Sequence, residues 1–403
     1  NPFLIYEGRY FLKDNFKMEL QIARRLQFIN NNFPLDKKGL DKFTLKRELI
    51  ELEEQEGIKL SSEQTEAVVN SAVNKISIIT GGPGTGKTTI SNMLIKLLEK
   101  KGKTIKLLAP TGTAAKRISL VSGLNATTIH RGLEFSGKFN KNFDDPLNED
   151  VVIVDESSMV DVFLGLALSE GARKSQLIFI GDVNQLPSVG AGDFLRDLIN
   201  SKQFHVSHLT QIFRQAGDSP IVQFAYKVND GAKLPEFFNW YSKKDTLEPK
   251  LMILAKDQFK KSINGEDNPD YLKNIMKAGC EYGYKTYLIK SDDYFQAQVL
   301  VSNNRSNDFI NKYLQNELNN LGEKIPYKDK VADSRFRVND KIIQNKNNYK
   351  LNVFNGSIGI IKEYLKGRNT VLIQYSGETE LKEIPVDVLN TESKLCYSMT
   401  IHK

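Results

Sequence analysis

The chain has 403 residues, 40% hydrophobic and 26% charged, ordinary values for a globular protein of two or three domains. Two cysteines and four histidines without ligand spacing exclude a disulfide framework and a four-cysteine metal centre, and point to a reducing, cytoplasmic location. A net charge of +7 mildly favours a polyanionic partner, although Lys- and Asn-rich runs such as Asn345-Lys346-Asn347-Asn348 give the same excess without one. No stretch is apolar and long enough to span a bilayer, and nothing at the amino end reads as a signal peptide.

In chain order, residues 1 to about 57 read as a helical segment. Met18 to Leu26 carries an apolar stripe at helical spacing, and a charged helix covers Thr44 to Glu56, with Gly57 to end it. From Ile58 to about Gln215 strands alternate with helices, the pattern of a parallel sheet with crossovers. Lys75 to Thr80, Ile105 to Ala109, Val151 to Val154 and Leu177 to Ile180 read as its buried strands. Residues 231–293 are less periodic and receive no assignment. Ala297 to Val301 reads as a strand and Asp308 to Leu318 as an amphipathic helix. From Arg335 to about Val388 short β runs alternate with turn signals, Asn355-Gly356 and Ser376-Gly377, which suggests a small barrel.

Gly81 to Thr88 fits the phosphate-binding pattern G-x-x-x-x-G-K-[ST], between a buried strand and a helical run. The backbone N–H groups of such a turn surround a phosphate, and Gly84 and Gly86 keep side chains out of the way. Gly82, Pro83, Gly84, Thr85, Gly86, Lys87, Thr88 and Thr89 are therefore the expected nucleotide contacts. Lys87 would bridge the terminal phosphates and the Thr88 hydroxyl would ligate Mg²⁺. The plainer alternative is a glycine turn between strand and helix.

Val151 to Val154 leads into Asp155-Glu156, two carboxylates at the carboxyl end of a buried strand, where ligands of parallel sheets sit. Asp155 would hold Mg²⁺ through water and Glu156 would polarise the attacking water of a nucleoside-triphosphate hydrolase. Alone, such a strand is as often structural; after a phosphate-binding loop it reads as catalytic.

Further motifs narrow the class: Ala109-Pro110-Thr111-Gly112-Thr113-Ala114-Ala115-Lys116-Arg117, Ala126 to Arg131, Gly181 to Pro187, and Leu209 to Gln215. With Val353 to Gly359 and the final Tyr397 to Lys403, this ordered set resembles the superfamily-one DNA helicases, and among them the bacterial RecD-like group. The resemblance runs from about Leu60 to Lys403. It implies two RecA-like P-loop domains with parallel sheets, an SH3-like β-barrel insertion and the amino-terminal helical segment. The implied boundaries are 1–57 for that segment, 58–215 for the first RecA-like domain, 216–334 and 391–403 for the second, and 335–390 for the barrel.

By the same resemblance, Gln64 reads the adenine edge, Gln185 senses the γ-phosphate and Arg214 is an arginine finger. Pro110, Thr111, Gly112, Thr128, His130, Asn355, Thr400 and His402 fall where such helicases contact single-stranded DNA, although His130 equally suits a buried hydrogen-bonded role. The cofactors implied are ATP and Mg²⁺. The implied partners are single-stranded DNA and its junctions with duplex, engaged by a monomeric motor moving 5′ to 3′.

Two departures stand out. The family continues past the position of Lys403 with Ser-Gln-Gly and, farther on, a second arginine finger, so this segment alone is expected to hydrolyse ATP poorly. Ser302 to Asn307 also lacks the Pro- and Gly-rich character of the family there. Two other classes fit the residues less well. A nucleotide switch without motor activity does not need Glu156, Gln185 and Arg214 together. A relaxase needs a histidine triad near its amino end, and no histidine precedes His130.

Overall fold

The computed structural model describes residues 2–33, 35, 40–213, 220–231, 277, 295, 298–301, 303–327, 334–348 and 350–401. The chain divides into two compact units, Asn1–Leu251 and Met252–Lys403.

The first unit begins with a departure from the helical reading. Phe3–Tyr6 (β1) and Arg9–Leu12 (β2) form an antiparallel hairpin, with Tyr6 opposite Arg9. Glu7 and Gly8 make its two-residue turn, both with positive φ (47° and 74°), the twist that suits a tight hairpin. Aromatic and branched residues dominate both strands, with Arg9 the exception, and this β preference outweighs helical spacing there. Helix α1 (Lys13–Asn32) follows and buries Ile22, Leu26 and Ile29. Helix α2 (Lys42–Glu56) starts at Asp41, whose carboxylate accepts from the Thr44 N–H at 2.9 Å, and ends at Gly57 in the left-handed region. Helix α3 (Ser62–Val73) opens on a reciprocal capping box between Ser61 and Gln64.

The sheet of this unit holds β3 (Ile76–Gly81), β4 (Ile105–Ala109), β5 (Thr127–Thr128), β6 (Val151–Val154), β7 (Gln176–Gly181) and β8 (His205–Leu209). Their spatial order is β5-β4-β6-β7-β3-β8, and every pairing is parallel. Helices α4 (Lys87–Lys100), α5 (Gly112–Ser122), α6 (Ile129–Gly132), α7 (Val162–Gly171) and α8 (Phe194–Ser201) connect them, and α9 (Pro220–Asn229) follows β8. Alternation along each strand divides the core in two. Val151 and Ile153 pack on one face with Ile79, Leu107 and Ile180; Val152 and Val154 pack on the other with Ile78, Leu108 and Phe179. Strands buried on both faces need apolar residues at every position, which is why they read as continuous runs.

In the second unit, β9 (Val299–Val301) pairs in parallel with β15 (Ser398–Thr400), and α10 (Asn304–Leu318) packs against them. The helix begins four residues before the expected Asp308 because Asn303 caps it, accepting from the Ser306 N–H at 2.9 Å. The barrel strands are β10 (Lys341–Gln344), β11 (Ile358–Leu365), β12 (Thr370–Tyr375), β13 (Leu381–Pro385) and β14 (Ser393–Leu395). A short helix, α11 (Val386–Glu392), links the last two. They form one antiparallel sheet, ordered β13-β12-β11-β10-β14, with an irregularity between Ile361 and Glu363 that bends β11. Ile342, Ile361, Val371, Ile373, Tyr375 and Leu389 fill its interior.

Among the described residues, no helix is long and apolar enough to cross a membrane.

Candidate nucleotide and nucleic-acid site

Parallel register brings the carboxyl ends of β3, β4, β6 and β7 to one edge of the first unit: Thr80 stands beside Gly181, Val154 beside Phe179, and Leu108 beside Val154. The chemistry-bearing residues leave the sheet at that edge.

Gly81 ends β3 and Lys87 begins α4. Between them, Gly84 and Gly86 adopt φ of 79° and 80°, a left-handed path that turns the backbone into the helix. The Thr85 hydroxyl donates to the Gly82 carbonyl at 2.9 Å and closes the turn. The Lys87 ammonium donates to the carbonyls of Gly81 (2.6 Å) and Gly82 (3.1 Å). Burial lowers the Lys87 pKa, while Asp182, Glu156 and Asp155 favour the charged form. Thr88 is half-buried and Thr89 exposed on the first turn of α4.

Gln64 lies over the same loop. Its amide oxygen accepts from the Ser61 N–H at 3.0 Å and its nitrogen donates to the Thr85 carbonyl at 3.1 Å. It is buried, not the exposed helix glutamine that propensity alone would suggest. The Phe213 N–H donates to the Gly84 carbonyl at 3.2 Å. Glu63 ties the end of β8 to α3, accepting from the N–H groups of Thr210 and Gln211.

Asp155 and Glu156 follow β6. Burial and the neighbouring Glu156 raise the Asp155 pKa from 3.8 to about 6, against the Glu156 N–H, Arg117 and Lys87, which favour the ionised form. Glu156 sits in the left-handed region at φ 51° and ψ 41°, a strained conformation for a residue with a Cβ. Gln185 follows β7, the strand between β6 and β3. Its amide nitrogen reaches the Asp182 carboxylate at 3.4 Å, and Asp182 is buried. Arg214 lies outside the described residues.

The positions considered for DNA contact fall into two groups. Pro110, Thr111 and Gly112 join β4 to α5, and Thr128 and His130 join β5 to α6; Ala109 and Thr128 stand side by side in the sheet. Both threonines are helix caps: Thr111 Oγ1 accepts from the Ala114 N–H and Thr128 Oγ1 from the Arg131 N–H, each at 3.2 Å. The His130 ring packs edge-on to Phe135 at 5.4 Å and against Phe139 at 5.9 Å. Burial lowers its pKa against the pull of Asp161, which favours the neutral imidazole. In the second unit, Asn355 is exposed in its turn and Thr400 is buried at the end of β15. His402 lies outside the described residues.

Three residues at this edge escaped the sequence reading. Asp182 had a usable signal, a carboxylate directly after a buried strand, the same signal that singled out Asp155. Arg117 places Nη1 4.0 Å from Glu156 Oε1, and Tyr226 on α9 donates to the Pro83 carbonyl at 3.2 Å. Both approaches join residues far apart in sequence, and no spacing rule foretells them.

Residues 59–249 match the family described as AAA domain, and residues 310–375 match the ATP-dependent RecD-like DNA helicase SH3 domain. The ATP-dependent RecD2 DNA helicase of Deinococcus radiodurans is 28% identical over 402 residues, 98% of this chain and 50% of that protein. The RecBCD enzyme subunit RecD of Buchnera aphidicola subsp. Schizaphis graminum is 28% identical over 470 residues, 100% of this chain and 74% of that protein. The chain thus spans about half the length of the first of these relatives. A crystal structure of Pif1 helicase from Candida albicans aligns over 86% of each chain, with 19% identity and a TM-score of 0.49.

Proposed function

The chain belongs to the RecD-like superfamily-one helicases, and from that premise we propose that its protein is an ATP-driven motor that moves along single-stranded DNA and unwinds duplex. The observation that carries the reading is Lys87, folded onto the carbonyls of its own loop and within the field of Asp155, Glu156 and Asp182, at the edge from which α5 also starts.

In this proposal the 81–88 loop cradles the ATP phosphates and Lys87 spans the outer two. Gln64 keeps one amide hydrogen beyond its bond to Thr85 and offers it to the adenine edge. Glu156 orients and deprotonates the attacking water. Gln185, exposed and weakly tethered to Asp182, turns toward the γ-phosphate and reports it to the DNA edge. Arg214 neutralises transition-state charge. Thr88 and Asp155 offer hard oxygen donors that suit Mg²⁺, and a cation there would relieve the cost of burying Asp155 beside Glu156. When bound, Mg²⁺ would neutralise charge on the β and γ phosphates.

Pro110, Thr111, Gly112, Thr128 and His130 in the first unit, with Asn355, Thr400 and His402 in the second, are the proposed contacts to single-stranded DNA. Phosphate contacts of this kind hold a strand without reading its sequence. His130, framed by the phenyl rings of Phe135 and Phe139, suits stacking or hydrogen bonding. We take the motor to act as a monomer on single-stranded regions and junctions, travelling 5′ to 3′.

Phosphate release by the full-length protein, with and without an oligothymidylate, tests the reading. Hydrolysis is expected to rise at least about tenfold with DNA and the apparent DNA affinity to fall steeply with salt. Hydrolysis indifferent to DNA would point to the nucleotide switch instead.

A further inference from the structure

Tyr226 stands outside every motif of the sequence, yet it lies against the phosphate-binding loop. It belongs to α9, the helix that follows β8. Its hydroxyl donates to the Pro83 carbonyl at 3.2 Å. Its ring lies on Gly82: a Cβ added there would overlap the Tyr226 hydroxyl and stand 2.9 Å from Cζ and 3.2 Å from Cε1. Gly82 fills a position that the G-x-x-x-x-G-K-[ST] pattern leaves open. Its φ is not positive, so the backbone does not require glycine there. The tyrosine requires it, because the ring takes the space a side chain would need.

Two donors thus converge on the outer half of the loop. Lys87 Nζ reaches the Gly81 and Gly82 carbonyls from within it, and the Tyr226 hydroxyl reaches the next carbonyl, that of Pro83, from α9. Both groups lie in the field of Asp182. Burial and that carboxylate hold the phenol above its usual pKa, so it keeps its proton and donates. A neutral donor suits this place, since phosphate oxygens accept hydrogen bonds and the neighbouring carboxylates would repel them. Rotation about the Cζ–O bond re-aims the hydroxyl hydrogen while the ring stays seated on Gly82. The acidic side of the loop, with Glu156 and Asp182, is also where attack on the terminal phosphate is proposed.

We propose that Tyr226 is a further nucleotide-binding residue: beside Lys87, its hydroxyl leaves the Pro83 carbonyl and donates to the terminal phosphate of ATP, a group that ADP lacks. The inference rests on the nucleotide-site reading above and adds a contact that tells triphosphate from diphosphate.

The test is equilibrium binding, with Mg²⁺, of ADP and of an ATP analogue with an imido β–γ bridge to full-length wild type and variants. Each titration is run well below the variant's melting temperature. Tyr226→Phe keeps the ring on Gly82 and removes only the hydroxyl. Exchange of one such hydrogen bond corresponds to about a three- to tenfold change. Tyr226→Phe should therefore weaken the analogue by that factor and leave ADP affinity as in wild type. Gly82→Ala should weaken the analogue when Tyr226 is present and add little in a Tyr226→Ala background, where the new Cβ has room. Equal losses for ADP and analogue would make Tyr226 a support of the loop, and no loss for either would leave it without a nucleotide role. Either result, or additive effects of the two substitutions, overturns the proposal while the nucleotide site stands. Wild type that binds neither nucleotide overturns the site reading itself.

Discussion

Asp155, at the end of β6 in the first unit, and Asp340, just before β10 in the second, are both carboxylates withdrawn from water, and burial raises the pKa of both. Their surroundings differ. Asp340 accepts four hydrogen bonds: Asn319 Nδ2 (2.7 Å) and Tyr397 Oη (2.9 Å) on Oδ1, Gln315 Nε2 (2.6 Å) and the Arg337 N–H (2.7 Å) on Oδ2. These donors come from α10 and its C-cap Asn319, the turn before β10 and the segment between β14 and β15, so one side chain joins three parts of its unit. Asp155 has the Glu156 N–H in its favour, but also the adjacent Glu156 charge against it. A saturated buried carboxylate holds a fold together; an under-compensated one stores free energy that a cation or substrate can release. The contrast supports the proposed nucleotide site in the first unit.

The largest expected effect lies on the reactive side of that contrast. Glu156→Gln in the full-length protein should lower kcat by about 10²–10⁴, the range for a lost general base, with nucleotide binding retained. Phosphate release and fluorescent-nucleotide titration read the two separately. Turnover near the wild-type rate would mean that another group polarises the water.

Asp340→Ala comes next. Four donors lose their acceptor, and we expect a destabilisation of about 4 kcal/mol in the second unit. Hydrogen exchange in β10–β14 should rise sharply while the first sheet keeps its protection. Uniform exchange across both units would show that the two do not unfold separately.

Asp155→Asn should act in the opposite sense and somewhat more weakly. The folded pKa of about 6 stands above the ordinary 3.8, so the group's favourable contribution is complete below about pH 3.8 and is lost as pH rises through 6. The neutral amide escapes that loss. In the absence of nucleotide and Mg²⁺, the variant should exceed wild type by up to roughly 3 kcal/mol at pH 7.5. The advantage should shrink to nothing near pH 4. Thermal melts across that range measure it, and a variant less stable than wild type at pH 7.5 would show that Asp155 is better compensated than its neighbours suggest.

Much of the first unit was legible in the residues. Continuous apolar runs placed β4 and β6, and the glycine loop placed Lys87, because strands buried on both faces and phosphate-binding turns leave composition-level marks. Gly57 marked the end of α2 for the same reason: a left-handed cap admits few other residues. The amino-terminal hairpin was missed, since four-residue strands carry too little periodicity to compete with a long helical stripe. The start of α10 was missed because one asparagine cap decided it.

By itself, then, the sequence determined the strand–loop–helix grammar of the nucleotide loop, the carboxylate pair after β6 and the antiparallel character of the barrel, all set by local sterics and by alternation of apolar residues. Tertiary structure decided the rest. The strand order put Asp182 and Gln185 between Asp155 and the loop. The packing of α5 brought Arg117 to Glu156, and four distant donors closed on Asp340. These are pairings over long sequence separations, fixed by which faces bury together, and no local pattern encodes them.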